Sequence, residues 1–260
     1  MRAIITGAAS GIGQAAAFRL AEDAAKRGTP ARFVIADLTE DRLDRTDAGL
    51  RARGAETHRA WGDISLEDTA LHIVATAREK IGGLDLLVSN AGDFSSAPLA
   101  ELSTSEFDRV FAINTRAAWL LAKAAYPMLR DSRGCVIATS SLAGVNPQPP
   151  FGSYSPSKAA LIMLIRQLAQ EWGPDGIRCN CVCPGATRTG RTEGFYQQQG
   201  VERERAARIP MQRIAESTDI AKGISFLASP DADYISGINL VVDGALEGAL
   251  MPLFATSKVD

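Results

Sequence analysis

The segment Thr6-Gly7-Ala8-Ala9-Ser10-Gly11-Ile12-Gly13 lies between a short apolar run, Ala3–Thr6, and a helical pattern, Gly11–Lys26. Each glycine has a separate task in that setting. Gly7 permits a turn that a side chain would block. Gly11 lets the backbone approach a pyrophosphate, and Gly13 lets helix and strand pack closely. The N–H groups at the start of the helix are then free to meet phosphates. No Gly-Lys-Ser/Thr follows, which excludes a triphosphate-binding loop of the P-loop kind. The next strand ends on Asp37. An acid at that point accepts hydrogen bonds from both ribose hydroxyls of NAD and repels the 2′-phosphate of NADP. No Arg or Lys stands in the glycine loop or directly after Asp37. The pair of features predicts NAD as the cofactor.

Outward from this segment the same alternation repeats. Phe33–Ala36, Leu84–Ser89, Cys135–Thr139, Cys179–Cys183 and Asn239–Val242 read as strands, with Thr57–Ala60 a weaker one. Their nearly continuous apolar character suits strands covered on both faces. Helical patterns fill Asp41–Arg53, Leu66–Ile81, Thr104–Leu129, Tyr154–Trp172 and Thr218–Leu227. Ser103 or Ser105 is the expected cap of the third of these, and Ser217 of the last. Strand-helix alternation implies right-handed crossovers. The expected fold is α/β: a single doubly wound domain, with a mostly parallel seven-stranded sheet and helices on both faces. Residues 1–115 form mainly the cofactor half and 116–260 the catalytic and substrate half. A proline-rich loop, Asn146–Pro150, and a long polar stretch, Ala186–Pro210, follow strand carboxyl ends, where open α/β sheets bind ligands. The second is the expected lid.

The bulk properties bound the partners. The 260 residues suit one domain. A net charge of −2 supplies no field for nucleic acid. No apolar run reaches the roughly 18 residues of a membrane span. Met1-Arg2 leads straight into the first strand, with no signal peptide, so a cytoplasmic location is expected. Cys179, Cys181 and Cys183 share one face of a strand, a poor arrangement for wrapping a metal, and read as core residues. His58 and His72 have no ligand cluster around them, and no metal site is expected.

Tyr154-Ser155-Pro156-Ser157-Lys158 places a phenol and an ammonium one helical turn apart. A nearby cation favours phenolate, which brings a tyrosine toward working pH and lets it exchange a proton with an alcohol or a carbonyl. Ser140-Ser141, at a strand end, is placed to bring a hydroxyl beside it.

Taken together, these features resemble the short-chain dehydrogenase/reductase family, from TGAASGIG to Val241-Val242-Asp243-Gly244. The motifs stand in the family's order: Asp63 in GDIS, Asn90-Ala91-Gly92, Asn114 in FAINT, Ser141 in TSS, YSPSK, and Pro184-Gly185 with Thr187 and Thr189 beyond. The resemblance implies a Rossmann fold and an oxidoreductase that interconverts a secondary alcohol and a ketone. It implies Tyr154 as general acid/base, and Lys158 as the group that holds the nicotinamide ribose and lowers the Tyr154 pKa. Ser141 would hold the substrate oxygen. Asn114 would interrupt its helix and hold a water. The implied cofactor contacts are Gly7, Ser10, Gly11, Ile12 and Gly13 at the loop, and Asp37 and Leu38 beyond the second strand. Asp63 and Ile64 would meet the adenine, and Asn90, Ala91 and Gly92 would line the cleft. Pro184, Gly185, Thr187 and Thr189 would meet the nicotinamide end, beside Tyr154 and Lys158.

The resemblance also implies a homotetramer; the apolar tail Leu250–Phe254 either packs on a neighbour, as C-termini do in such tetramers, or is a loose terminus. A non-catalytic NAD-binding regulator of the same fold is the alternative, but its mark would be a lost Tyr, Lys or Ser. A hydrolase lacks its Gly-x-Ser-x-Gly elbow here. Expected substrate-pocket walls are Phe94, Ala143, Val145, Pro147, Gln148, Phe151 and parts of 186–210. Arg188, Arg191, Arg203, Arg205 and Arg208 read as a solvated lid face rather than as receptors for a carboxylate.

Overall fold

A computed structural model describes residues 1–249, so the expected tail contact of Leu250–Phe254 lies outside the described residues. The chain runs β1 (Arg2–Thr6), α1 (Gly11–Lys26), β2 (Arg32–Asp37), α2 (Asp44–Arg51), β3 (Glu56–Trp61), α3 (Glu67–Thr76) and β4 (Leu86–Ser89). It continues with α4 (Thr104–Phe111), α5 (Ala117–Ser132), β5 (Cys135–Thr139), α6 (Tyr154–Trp172) and β6 (Arg178–Pro184). Then come β7 (Thr187–Arg188), α7 (Glu193–Tyr196), α8 (Val201–Ala207), β8 (Ala215–Glu216), α9 (Ser217–Ala228) and β9 (Asn239–Val242).

Seven strands form one sheet in the order β3-β2-β1-β4-β5-β6-β9. Every pairing in it is parallel. Alternate residues of each strand feed opposite cores. Ile4, Val34, Leu87 and Cys179, Cys181 and Cys183 pack with α3, α5 and α6. Ala3, Ile5, Phe33, Ile35 and Val182 pack with α1 and α9. The three cysteines thus share one buried face, as their spacing predicts. Burial of a side chain such as Ile4, Phe33 or Leu121 is worth about 1.5–3 kcal/mol relative to exposure.

The predicted elements recur with local differences. The weak strand is a full edge strand, β3, paired with β2 over six residues. β4 starts at Leu86 rather than Leu84, and the Asp85 carboxylate just before it accepts from the Arg2 N–H and guanidinium. Thr104–Leu129 is one path with a wider, π-helical turn at Ala112–Arg116. Ser103 caps α4 by accepting from the Glu106 N–H. Ser217 does not cap the last helix: Glu216 does, in a reciprocal box with Asp219. Among the described residues, no helix is long and apolar enough to cross a membrane.

Candidate active site

The strand order reverses between β1 and β4, and the site gathers at the carboxyl ends of these strands. Gly7 and Gly11 hold φ of 63° and 57°, where a side chain would be strained. A Cβ on Gly13 would overlap the Gly7 carbonyl oxygen. Thr6 Oγ1 ties the two loops together by accepting from the Asn90 and Ala91 N–H groups at 3.0 and 3.1 Å. Asn90 Nδ2 returns to the Thr6 carbonyl at 3.1 Å. Ser10 leaves the α1 N-terminus without a side-chain cap, and no acid stands in its first turn. These free N–H groups fit the phosphates of a dinucleotide.

Asp37 is fixed at the rim of that cradle. It accepts from the Ala9 N–H at 3.1 Å and the Leu38 N–H at 2.9 Å. No basic residue directly follows Asp37 in the sequence, yet the turn Asp41–Leu43 folds Arg42 back to 3.4 Å from its carboxylate. Leu38 and Asp63 stand exposed at neighbouring strand ends, with Ile64 half-buried beside them. Asp63 also accepts from the Ser65 N–H.

Tyr154 is the first residue of α6, and Lys158 lies one turn later. Ser140 donates to the Lys158 carbonyl at 3.0 Å, which commits that hydroxyl to the helix backbone. Ser141 caps the short turn Leu142–Gly144 by accepting from the Ala143 N–H at 3.0 Å, and its nearness favours the Tyr154 phenolate. Asn114 sits in the π-helical turn. It accepts from the Asp93 N–H at 2.8 Å and donates to the Asp93 carbonyl at 2.7 Å and to Ser157 Oγ at 2.9 Å. A Cβ on Gly92 would lie 3.1 Å from Asn114 Oδ1 and 3.2 Å from Lys158 Nζ, so glycine gives both groups room. Asn114, Ser141, Tyr154 and Lys158 are therefore brought to one place.

Burial governs their ionisation. It pushes the Tyr154 phenol up, while Ser141 and Arg191 pull it down and Cys183 adds to the rise. Burial pushes Lys158 down to about 8. In the protein alone, Lys158 donates to the Thr139 carbonyl at 2.9 Å, and the groups favouring phenolate are Ser141 and Arg191. A lysine whose folded pKa is depressed binds fewer protons folded than unfolded between about 8 and its ordinary value near 10.5. Stability therefore rises with pH across that window. Between pH 8 and 9.5, urea unfolding of the wild type should show a gain of about 1–2 kcal/mol that Lys158→Met lacks. Parallel curves for the two proteins would refute the assignment.

The surroundings of Tyr154 are aromatic. Phe94 meets Phe151 and Tyr154 edge-on, at centroid distances of 5.7 and 6.3 Å. Ala143 is buried beside them, whereas Pro147 and Gln148 are exposed. Pro184 ends β6, Gly185 packs on Asp243, and Thr187 Oγ1 donates to the Gly185 carbonyl at 2.9 Å. Thr189 then comes up against Gly11, so this segment crosses the cleft mouth. Arg188 binds Glu193, Glu202 and Glu216 and knits the lid to its base. Arg191 is half-exposed, as expected of a solvated face, but it also has partners on the opposite wall. It reaches back to the Gly92 carbonyl and the Asp93 carboxylate at 3.1 and 2.8 Å. Asp93 and Thr139 escaped sequence reading, because their roles depend on partners far along the chain.

Comparison with known proteins agrees with this geometry. A family model described as enoyl-(acyl carrier protein) reductase matches residues 7–246. Dehydrogenase/reductase SDR family member 2, a mitochondrial protein of Homo sapiens, is 37% identical over 93% of this chain and 85% of its own length. Glucose 1-dehydrogenase of Gluconobacter oxydans is 36% identical over 94% of this chain and 91% of its own. The crystal structure of a putative short-chain alcohol dehydrogenase from Sinorhizobium meliloti superposes with a TM-score of 0.88 at 31% identity, covering 95% of this chain and 96% of that one. With its parallel sheet, glycine cradle and Tyr-Lys-Ser-Asn cluster in one frame, this chain belongs to the short-chain dehydrogenase/reductase family of oxidoreductases.

Proposed function

We propose that the chain is an NAD(H)-dependent oxidoreductase interconverting a secondary alcohol and a ketone. The observation that carries this reading is the convergence of Tyr154, Ser141, Lys158 and Asn114 beside the glycine cradle. A bound nicotinamide dinucleotide supplies or takes the hydride. Tyr154 Oη gives the proton to the substrate oxygen, or takes it, as general acid or base. Ser141 Oγ holds that oxygen in position. Lys158 holds the cofactor ribose and favours phenolate. Asn114 holds the water that links Lys158 to solvent. Phe94 and Phe151 supply an apolar wall around the phenol and screen it from bulk water. A homotetramer belongs to the same proposal.

NAD rather than NADP is supported by Asp37, whose carboxylate is held at the cradle by two backbone N–H groups. The test is a panel of secondary alcohols with each cofactor, followed at the reduced-nicotinamide absorbance band. The expected result is turnover with a kcat/KM preference for NAD of about a hundredfold. Asp37→Ser should reduce that preference to about tenfold or less, a loss of ~1.4 kcal/mol or more. Equal use of both cofactors by the wild type would overturn the cofactor assignment. Absence of turnover with every alcohol and ketone would overturn the reaction.

A further inference from the structure

Five arginines fall in the lid stretch 186–210, and four of them stay within the lid, at its surface or at its base. Arg188 is held by three glutamates, and Arg208 pairs with Glu204. Arg205 lies 4.3 Å over the Phe195 ring, and Arg203 is exposed. Arg191 alone crosses to the other wall of the cleft. Its Nη1 donates to the Gly92 carbonyl and to Asp93 Oδ1, and its guanidinium lies 5.6 Å over the Phe94 ring. We propose that Arg191 is a positioning residue: seated on Asp93, it holds the lid against the cleft and fixes a positive charge over the Phe94 ring that abuts Tyr154. This rests on the reading of Tyr154 as the proton-transfer group.

The anchor is built for the purpose. Asp93 Oδ2 is taken at 2.6 Å by Arg109, which Glu106 also holds at 2.7 Å, and that leaves Oδ1 for Arg191. The Asp93 backbone is clamped on both sides by Asn114. The lid is thus docked on the same residue that orients the catalytic asparagine. Phe94, under the guanidinium, meets the phenol edge-on. The groups facing Tyr154 are Lys158 on its own helix, Ser141 from the β5 loop, the Cys183 thiol from β6 and Arg191 from the lid. Lys158 is turned to Thr139, so Arg191 is the cation that the lid adds. A cation there stabilises phenolate, and its removal raises the phenol pKa.

Three variants test this: Arg191→Gln, Arg191→Lys and Asp93→Asn. In the oxidation direction the reaction needs phenolate, so kcat/KM rises with pH through the Tyr154 titration. Arg191→Gln should move that rise to higher pH by about half a unit or more and raise KM about tenfold. Arg191→Lys should restore the pH position but not KM, because the ammonium keeps the charge and loses the forked contact. Asp93→Asn should resemble Arg191→Gln, and the double variant should be no worse than either single one. A second readout needs no turnover: trypsin should cut at Arg203 and Arg205 about tenfold faster in Arg191→Gln, as expected of a lid that opens more often. Wild-type pH position and wild-type proteolysis in Arg191→Gln would overturn the proposal. If the wild type showed no oxidoreductase activity, the proposed function would fall, and unchanged proteolysis would still refute the docking.

Discussion

Tyr154→Phe removes one oxygen atom and should lower turnover by about a thousandfold or more while dinucleotide binding persists. The ring that remains is the ring the site already holds. Phe94 and Phe151 pack on it at 6.3 and 6.5 Å, and neither contact involves the hydroxyl. The ring is half-buried, and its neighbour Ser141 keeps its bond from the Ala143 N–H. Folding should therefore be close to that of the wild type. The measurement pairs steady-state kinetics with a titration of reduced cofactor by fluorescence. Retention of about a tenth of wild-type turnover would show that the proton moves by another route. Loss of cofactor binding together with turnover would show that the phenol is structural.

Gly13→Ala should be the most damaging change of a single methyl group at the cradle. The added Cβ would overlap the Gly7 carbonyl oxygen and lie 2.7 Å from Asn90 Nδ2. Neither obstacle is the tip of a flexible chain: one is backbone, and the other is the amide that bridges the loops after β1 and β4. Relief requires α1 to shift away from the sheet that it covers. The expected cost is about 3 kcal/mol of stability, and dinucleotide affinity should fall about a hundredfold as the loop loses its shape. Gly173→Ala is the control, since a Cβ there would meet nothing within 4 Å. Urea unfolding of the two variants decides the matter: equal midpoints would refute the account of the cradle.

The parts of this architecture that follow from local pattern are legible in the sequence. Two-residue periodicity places the three cysteines on one face, and continuous apolar runs mark doubly covered strands. The glycine spacing is legible because each glycine answers a backbone constraint within a few residues. Contacts set by the tertiary fold are not legible. Arg191 and Asp93 are 98 residues apart in sequence, and only the crossing of the lid joins them. Arg42 reaches Asp37 because a tight turn reverses the chain, and nothing in the spacing specifies that reversal. The Glu216 cap displaced the expected Ser217 because a reciprocal bond with Asp219 is available one residue earlier. The direction of the Tyr154 shift also depends on depth of burial, which a tetrad of residue types does not reveal.

The two-stranded ribbon β7·β8 has a consequence for how such a protein diversifies. It pairs Thr187 with Ala215 and Arg188 with Glu216, and so clasps the two ends of the intervening chain. That chain has a small core of its own, Tyr196, Ile209 and Ile214. The entropy of closing a loop grows only slowly with its length once the ends are held together. Residues between the clasped ends can therefore be exchanged, lengthened or shortened without disturbing the sheet or the glycine cradle. Changes of length or sequence between the clasped ends should therefore leave the unfolding midpoint of the sheet almost unmoved.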